Sequence, residues 1–374
     1  MKFKLLPIGY YAVASFAYLL LAIYSFSQID LNLTLSVHPL YQSFQKQLIS
    51  LGYFHRPLST IIYIALIILL VISYLSLVIS VKKKLISQRQ LWFLVIITVI
   101  VLLFSYPAFS HDIFNYIFDA RIVTKYGLSP WHYRALDFPS DTWIRFMQWT
   151  HRLTPYPPLW IGLSLIPSFL GLGKFTLTLL LFKLMAAGFY LGCCKLIAKL
   201  NPQALALFAL NPLVVIETLV NGHMEIALIF FALLAIYLNL QHKTTLSWLS
   251  FITSVGIKYM TFYLTPVLIK GKHWLRPTIW LGLISTAAFI FWYGFQPWYV
   301  LWVLPFALLL PGKSWEIKLL ILLSFAALLW NLPAVSSGDF NLPNPTSRLI
   351  IYVLLPFAVL TIPFFIKSAH EKNH

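Results

Sequence analysis

Residues 58–81 read LSTIIYIALIILLVISYLSLVISV and are followed at once by Lys82-Lys83-Lys84. No charged side chain interrupts the run, and at about 1.5 Å of rise per residue it is long enough to cross about 30 Å of hydrocarbon. Hydrocarbon offers no partner to backbone N–H and C=O groups, so a segment that crosses it must bond them internally, as a helix. The lysines close the run and mark the side of the membrane on which it ends.

The same pattern recurs outward in both directions, at 5–27, 91–109, 175–194, 203–220, 224–240, 244–258, 259–270, 277–295, 299–311, 317–334 and 347–367. The expected fold is all-α: a polytopic transmembrane helical bundle of about 11–13 spans, organised as a single transmembrane domain over residues 1–374. Composition agrees, because 60% of the chain is hydrophobic and 10% charged, against about 45–50% and about 25% for a soluble domain. No stretch reads as an independent soluble domain. The first apolar run is longer than the h-region of a signal peptide and reads as an uncleaved first span. Cys193 and Cys194 are adjacent within an apolar run, where packing is their reading.

The net charge of +17 does not point to nucleic acid, because the cations stand in groups at the ends of apolar runs rather than along one face. Lys2 and Lys4, Lys82 to Lys84 with Arg89, Lys195 and Lys199, Lys270, Lys272 and Arg276, and Lys367 and Lys372 fall on one side. The positive-inside rule makes that side cytoplasmic, with both termini on it. Residues 28–57 and 109–157 then lie outside. For parity to hold, 158–172, which is short, contains Pro167 and ends at Gly171 and Gly173, must be a re-entrant or interfacial helix. Likewise 244–258 and 259–270 must form a hairpin with Lys258 near the outer surface.

On this topology most carboxylates face outward, and the long external loop 109–157 becomes the expected catalytic loop. Asp112, Asn115, Tyr116 and Asp119 stand at i, i+3, i+4 and i+7, one polar face of a helix; a solvated interfacial helix has the same pattern. Arg121, Lys125, Arg134, Arg145 and Arg152 run against the topological bias, so an anion is expected nearby. A lipid-linked phosphate or an ordinary headgroup would each supply it. Asn211-Pro212-Leu213 leads through Glu217 to Asn221-Gly222-His223-Met224-Glu225; ionisable groups at membrane depth usually face a cavity, although Gly222 also suits a plain turn between helices. Gln296-Pro297-Trp298-Tyr299, at an external helix junction, reads as an aromatic belt at the interface. No dedicated metal cage is visible.

Taken in order, His111-Asp112-Ile113-Phe114-Asn115-Tyr116 with Asp119-Ala120-Arg121, Gly127 to Trp131, Tyr156-Pro157-Pro158-Leu159-Trp160, Asn211-Pro212-Leu213 with Asn221-Gly222-His223, Lys258-Tyr259 and Pro297-Trp298-Tyr299 resemble the GT-C superfamily of membrane glycosyltransferases. More narrowly they resemble bacterial polyprenol-phosphate-mannose-dependent mannosyltransferase-like proteins. The resemblance implies inverting transfer of a sugar, mannose or another hexose, from a polyprenyl-phosphate carrier to a hydroxyl of a glycan or lipid acceptor. The reaction would occur on the outer face of a bacterial cytoplasmic membrane. Asp112 is the expected general base and Asp119 its rival. His111, Tyr116, Arg121, Lys125, Arg152, Tyr156, Asn221, His223, Glu225, Lys258, Trp298 and Tyr299 are the expected substrate-binding residues, with Arg121 and Lys258 on one cavity around the phosphate. No cofactor is implied, a divalent ion bridged by Asp112, Asp119 and substrate being the alternative. The chain departs from the commoner pattern in having His111-Asp112 for two adjacent acids, Met224-Glu225 after Asn221-Gly222-His223, and Ser129-Pro130-Trp131 for Asn-Pro-Tyr. The competing function is a multi-pass transporter or lipid-linked sugar flippase. Its polar residues would be reachable from both sides, whereas here they concentrate on one.

Overall fold

The structure, a computed structural model, describes residues 7–311, 314–339 and 342–370. Among these the chain is helical with no strand. Seven helices fill its first half: α1 (Pro7–Ser25), α2 (Pro39–Ile49), α3 (Arg56–Lys82), α4 (Gln88–Leu103), α5 (Asp112–Tyr126), α6 (Pro158–Leu170) and α7 (Phe175–Leu200).

Helix α3 shows how an all-apolar helix divides its faces. Tyr63, Leu66, Ile67, Leu70, Tyr74 and Leu77 are buried, while Ile61, Ile64, Ile68, Ile72, Leu75 and Ile79 are exposed. Both faces are apolar, as expected of a helix with protein on one side and lipid on the other. The buried face is distinguished by its tyrosines, whose hydroxyls donate to Leu328 O (2.6 Å) and Leu207 O (3.1 Å) and so find partners inside the core. Helix α1 brings Ala14, Ala17 and Leu21 to the interior and packs against α3 and α4, its small residues permitting close approach.

Among the described residues five helices are long and apolar enough to cross a membrane, or six if the bent pair Pro202–Ala209 and Pro212–Val220 is one span. The chain is thus a polytopic helical membrane protein, but several predicted spans are not continuous helices. The run 203–220 breaks by 63° between its two halves, with the Asn211 side chain accepting from the backbone N–H groups of Leu213 and Val214 at the new start. The runs at 259–270 and 299–311 are a 3-10 turn and a short helix each, Tyr259–Leu264 with Thr265–Lys270 and Pro297–Trp302 with Leu304–Ala307. Pro212, Pro266, Pro297 and Pro305 sit at or beside these joins, where a missing N–H and a ring clash end a continuous ladder.

Two topological expectations find their geometry. Helix α6 spans 13 residues, about 20 Å, too short to cross, and it lies against α5, α7 and the helix Thr244–Ile257. The segments 244–258 and 259–270 do form a hairpin. Lys258 meets Glu225 at the start of the helix Glu225–Leu240, and Asn239 near its end donates to Leu268 O at 2.7 Å. The chain therefore runs the length of that helix twice, in opposite directions.

One intramembrane charge escaped the sequence reading. Lys183 of α7 is 4% exposed, and its ammonium donates to Leu102 O (2.9 Å), to the Ser105 hydroxyl (2.8 Å) and to Ser105 O. It thus caps the open carbonyl end of α4, where a cation opposes the negative pole of the helix, and ties down the segment that leads into α5.

Candidate active site

Helix α5 begins at Asp112, whose own N–H donates to the Ser110 hydroxyl at 3.2 Å. Opposite it stands the turn Asn221–Met224. Gly222 adopts φ +70°, a conformation that favours glycine, and a Cβ there would lie 2.7 Å from Ile113 Cδ1, so the turn packs closely on α5. Asn221 locks the two elements together: its Oδ1 accepts from Phe109 N (3.2 Å) and its Nδ2 donates to Glu217 (3.0 Å). The local sequence thereby delivers His223 to Asp112.

His223 is fully buried and surrounded by three carboxylates. Its Nε2 lies 3.2 Å from Glu217, and its Nδ1 lies 3.6 Å from Asp112 and 3.7 Å from Glu225. Trp298 covers the ring, with centroids 4.1 Å apart and planes 30° from parallel. Glu225 in turn accepts from Lys258 at 2.6 Å, and the ammonium lies 5.0 Å from the centre of the Trp302 ring. Burial alone would lower the His223 pKa, but the neighbouring carboxylates, Glu217 foremost and then Asp112 and Glu225, outweigh it and raise it. For Asp112 burial dominates and raises the pKa, opposed by His223 and Lys258. A carboxylate with a raised pKa is a better proton acceptor than a free one, and of the three carboxylates here Asp112 is the one whose side chain is part-exposed, at 14%.

Asp112 opens onto a cavity of about 680 Å³ lined also by His111, Trp149, Arg152, Tyr156, Glu217, Lys258, Trp298, Tyr299, Trp330, Asn331 and Arg348. Carboxylates on one wall, three cations and several aromatic faces make a site able to hold a sugar and an anion together. Of the expected substrate-binding residues, His111, Arg152, Tyr156, Lys258, Trp298 and Tyr299 line this cavity. His223, Glu225 and Asn221 stand behind Asp112, and Tyr116 supports Tyr156 edge-on at 4.9 Å.

Three expected residues lie elsewhere. Arg121 and Lys125 do not share a cavity with Lys258. Both bind Asp141, at 2.7 and 2.9 Å, with the Tyr126 hydroxyl donating to the same oxygen at 2.7 Å and the Arg121 guanidinium 3.7 Å from the centre of the Trp143 ring. Burial would raise the Asp141 pKa, but these donors and the Trp143 N–H outweigh it and hold the carboxyl well below the usual range. Asp119 is 7% exposed and is not among the residues lining the cavity. Burial pushes its carboxyl up to about 7 against the opposing influence of Thr154 and Arg152. Arg121, two residues further along α5, pairs with Asp141 and not with Asp119. The residues that sequence reasoning missed are Arg348, Trp330 and Asn331. Arg348 donates to Trp330 O at 2.7 Å and lies over that ring at 4.4 Å. An arginine opening an apolar run was the available signal.

Among the described residues no group of three or more His, Cys, Asp or Glu side chains has the geometry to hold a metal ion. Residues 15–276 match the model of the MptA_B family, described as alpha-(1->6)-mannopyranosyltransferase, N-terminal domain. No curated protein and no solved structure matches the chain. Trp298, Trp330 and Arg348 bring a further wall to the cavity from beyond the matched residues.

Proposed function

Because the chain belongs to the MptA_B family of alpha-(1->6)-mannopyranosyltransferases, we propose that it carries a mannosyl group from a polyprenyl-phosphate donor to a hydroxyl of a glycan or lipid acceptor. The transfer takes place at the outer face of a bacterial cytoplasmic membrane and inverts the anomeric carbon. The observation that supports this reading best is the placement of Asp112: a part-exposed carboxylate beside a buried His223, opening on a cavity that also carries Arg152, Lys258 and Arg348.

In this mechanism the acceptor oxygen attacks the anomeric carbon as the bond from that carbon to the carrier phosphate breaks. The electron pair leaves on the phosphate oxygen, and the acceptor proton passes to Asp112. An α product formed by inversion requires a donor whose mannose is β-linked to phosphate. The phosphate is already a competent leaving group, so the chain's tasks are to position, to accept a proton and to stabilise departing charge. Lys258, Arg152 and Arg348 supply that charge, Trp298 and Tyr299 offer faces for the sugar, and His223, 3.6 Å from the Asp112 carboxylate, positions it from behind.

The test is transfer by the detergent-purified chain of radiolabelled mannose from polyprenyl-phosphate-mannose to a membrane glycan or lipid extract. Labelled product and free polyprenyl phosphate in equal amounts are expected. Absence of transfer from every lipid-linked hexose tried, together with movement of the intact donor across proteoliposomes, would replace the transferase by a flippase.

A further inference from the structure

Two basic cavities lie apart from Asp112. One, of about 340 Å³, is lined by Arg121, Lys125, Trp143 and Phe169 with small polar residues. The other, of about 710 Å³, is lined by Arg145, Lys174, Trp143 and Phe175 among others. The Trp143 ring is the wall between them. Four cations thus face two adjoining hollows, and no carboxylate lines either. Asp141 lies behind Arg121 and Lys125 and offsets one of the four charges; it also holds the side chains of those two cations in place.

The surroundings are apolar. Helix α6 and the turn after it expose Ile166, Phe169, Leu170 and Leu172, Phe169 lining the first cavity together with its neighbour Ser168 and with Gly173, and α6 is too short to cross. A cationic hollow beside an apolar interfacial helix suits a ligand with an anionic head and an acyl or prenyl tail. Arginine binds phosphate through its planar fork and lysine as a point charge.

We propose that the hollows on either side of Trp143 form a second lipid site, which binds the phosphate of an anionic membrane lipid and is separate from the Asp112 cavity. It stands on the charge and shape of this region alone, so it survives or fails independently of the transfer reaction.

Native mass spectrometry of the detergent-purified full chain, titrated with phosphatidylglycerol and in parallel with phosphatidylcholine, reads the site directly. Lys125, Arg145 and Lys174 are exposed, and the triple variant Lys125→Gln, Arg145→Gln, Lys174→Gln is expected to bind phosphatidylglycerol at least about tenfold more weakly than the wild type, the equivalent of one lost charge-assisted contact. Phosphatidylcholine binding is expected to be unchanged, and excess inorganic phosphate is expected not to displace the lipid. If the triple variant aggregates, the single Arg145→Gln and Lys174→Gln variants carry the same comparison, each with a smaller loss. Equal phosphatidylglycerol binding by variant and wild type would overturn the site. So would an equal loss in Lys82→Gln, Lys83→Gln, Lys84→Gln, which would show unspecific attraction, while displacement by inorganic phosphate would reassign the hollows to a soluble anion.

Discussion

The two ends of α5 carry two charge clusters that use similar residues in opposite ways. At its start, Asp112 joins Glu217 and Glu225 around one imidazole, with Lys258 beyond. Carboxylates are in excess there, and burial raises the Asp112 pKa. Towards its end, Arg121, Lys125 and the Tyr126 hydroxyl converge on Asp141. Cations are in excess there, and the lone carboxylate is held well below its usual range. A carboxylate so stabilised is a poor proton acceptor, whereas one whose charge is only partly compensated is a good one. The first cluster can do acid–base chemistry; the second can hold an anion.

The largest expected effect tests the first half of that contrast. Asp112→Asn is nearly isosteric and cannot accept a proton usefully, so turnover should fall about 10²–10⁴-fold while donor binding survives. Turnover within tenfold of wild type in purified Asp112→Asn would take the base away from α5's first turn.

Next comes Lys258. Its replacement by Met keeps the length of the side chain but removes the cation and leaves Glu225 buried without its partner. Donor affinity should drop by about 10–100-fold, equivalent to about 1.5–3 kcal/mol for a charge-assisted hydrogen bond. Isothermal titration with a non-transferable lipid-phosphate analogue measures it. Unchanged donor affinity would make Lys258 a structural partner of Glu225 only.

A third measurement uses pH. Asp112 works deprotonated, so turnover should decline as pH falls through its raised pKa, at a higher pH than an ordinary carboxylate would give. His223 is the largest influence that lowers the Asp112 pKa. In His223→Gln the acid limb of the pH–turnover profile should therefore move to still higher pH. A limb unmoved, or moved to lower pH, would break the proposed coupling between imidazole and base.

The same contrast shows what was legible in the sequence. Hydropathy and charge placement gave the helical membrane class, because uninterrupted runs such as 58–81 have no other stable form in lipid. The breaks at Asn211-Pro212 and Pro297 were not resolved, since a run of apolar residues keeps its hydropathy whether or not proline divides it. The i, i+7 spacing of Asp112 and Asp119 put both on one helix face correctly, but seven residues are about 10.5 Å along the axis, so one face serves two environments. Arg121 was expected beside Lys258 because charge sign alone does not say which carboxylate will capture a cation. Asp141, in the loop after α5, did so. Lys183 and Arg348 were passed over inside or at the edge of apolar runs, where a lone cation was the visible signal.

Asp119 supplies the smallest expected effect on turnover and the clearest separation of face from site. Asp119→Asn should retain more than about a tenth of wild-type turnover, because a base two turns away from the reacting hydroxyl contributes none of its 10²–10⁴-fold factor. Its effect should appear in stability instead. The folded carboxyl has a pKa of about 7 against 3.8 for the free group, so the folded state holds the proton more tightly. The stability this gives is fully present below about pH 4 and is lost as pH rises through about 7. Asn carries no such proton. The melting temperature of Asp119→Asn relative to wild type should therefore rise across that window, by about 2–4 °C for each kcal/mol the wild type loses, and level off above it. A difference in melting temperature that stays flat with pH would place the Asp119 carboxylate in contact with a compensating cation, Arg152 being the one whose charge already lowers its pKa, and would return it to the charged machinery of the cavity.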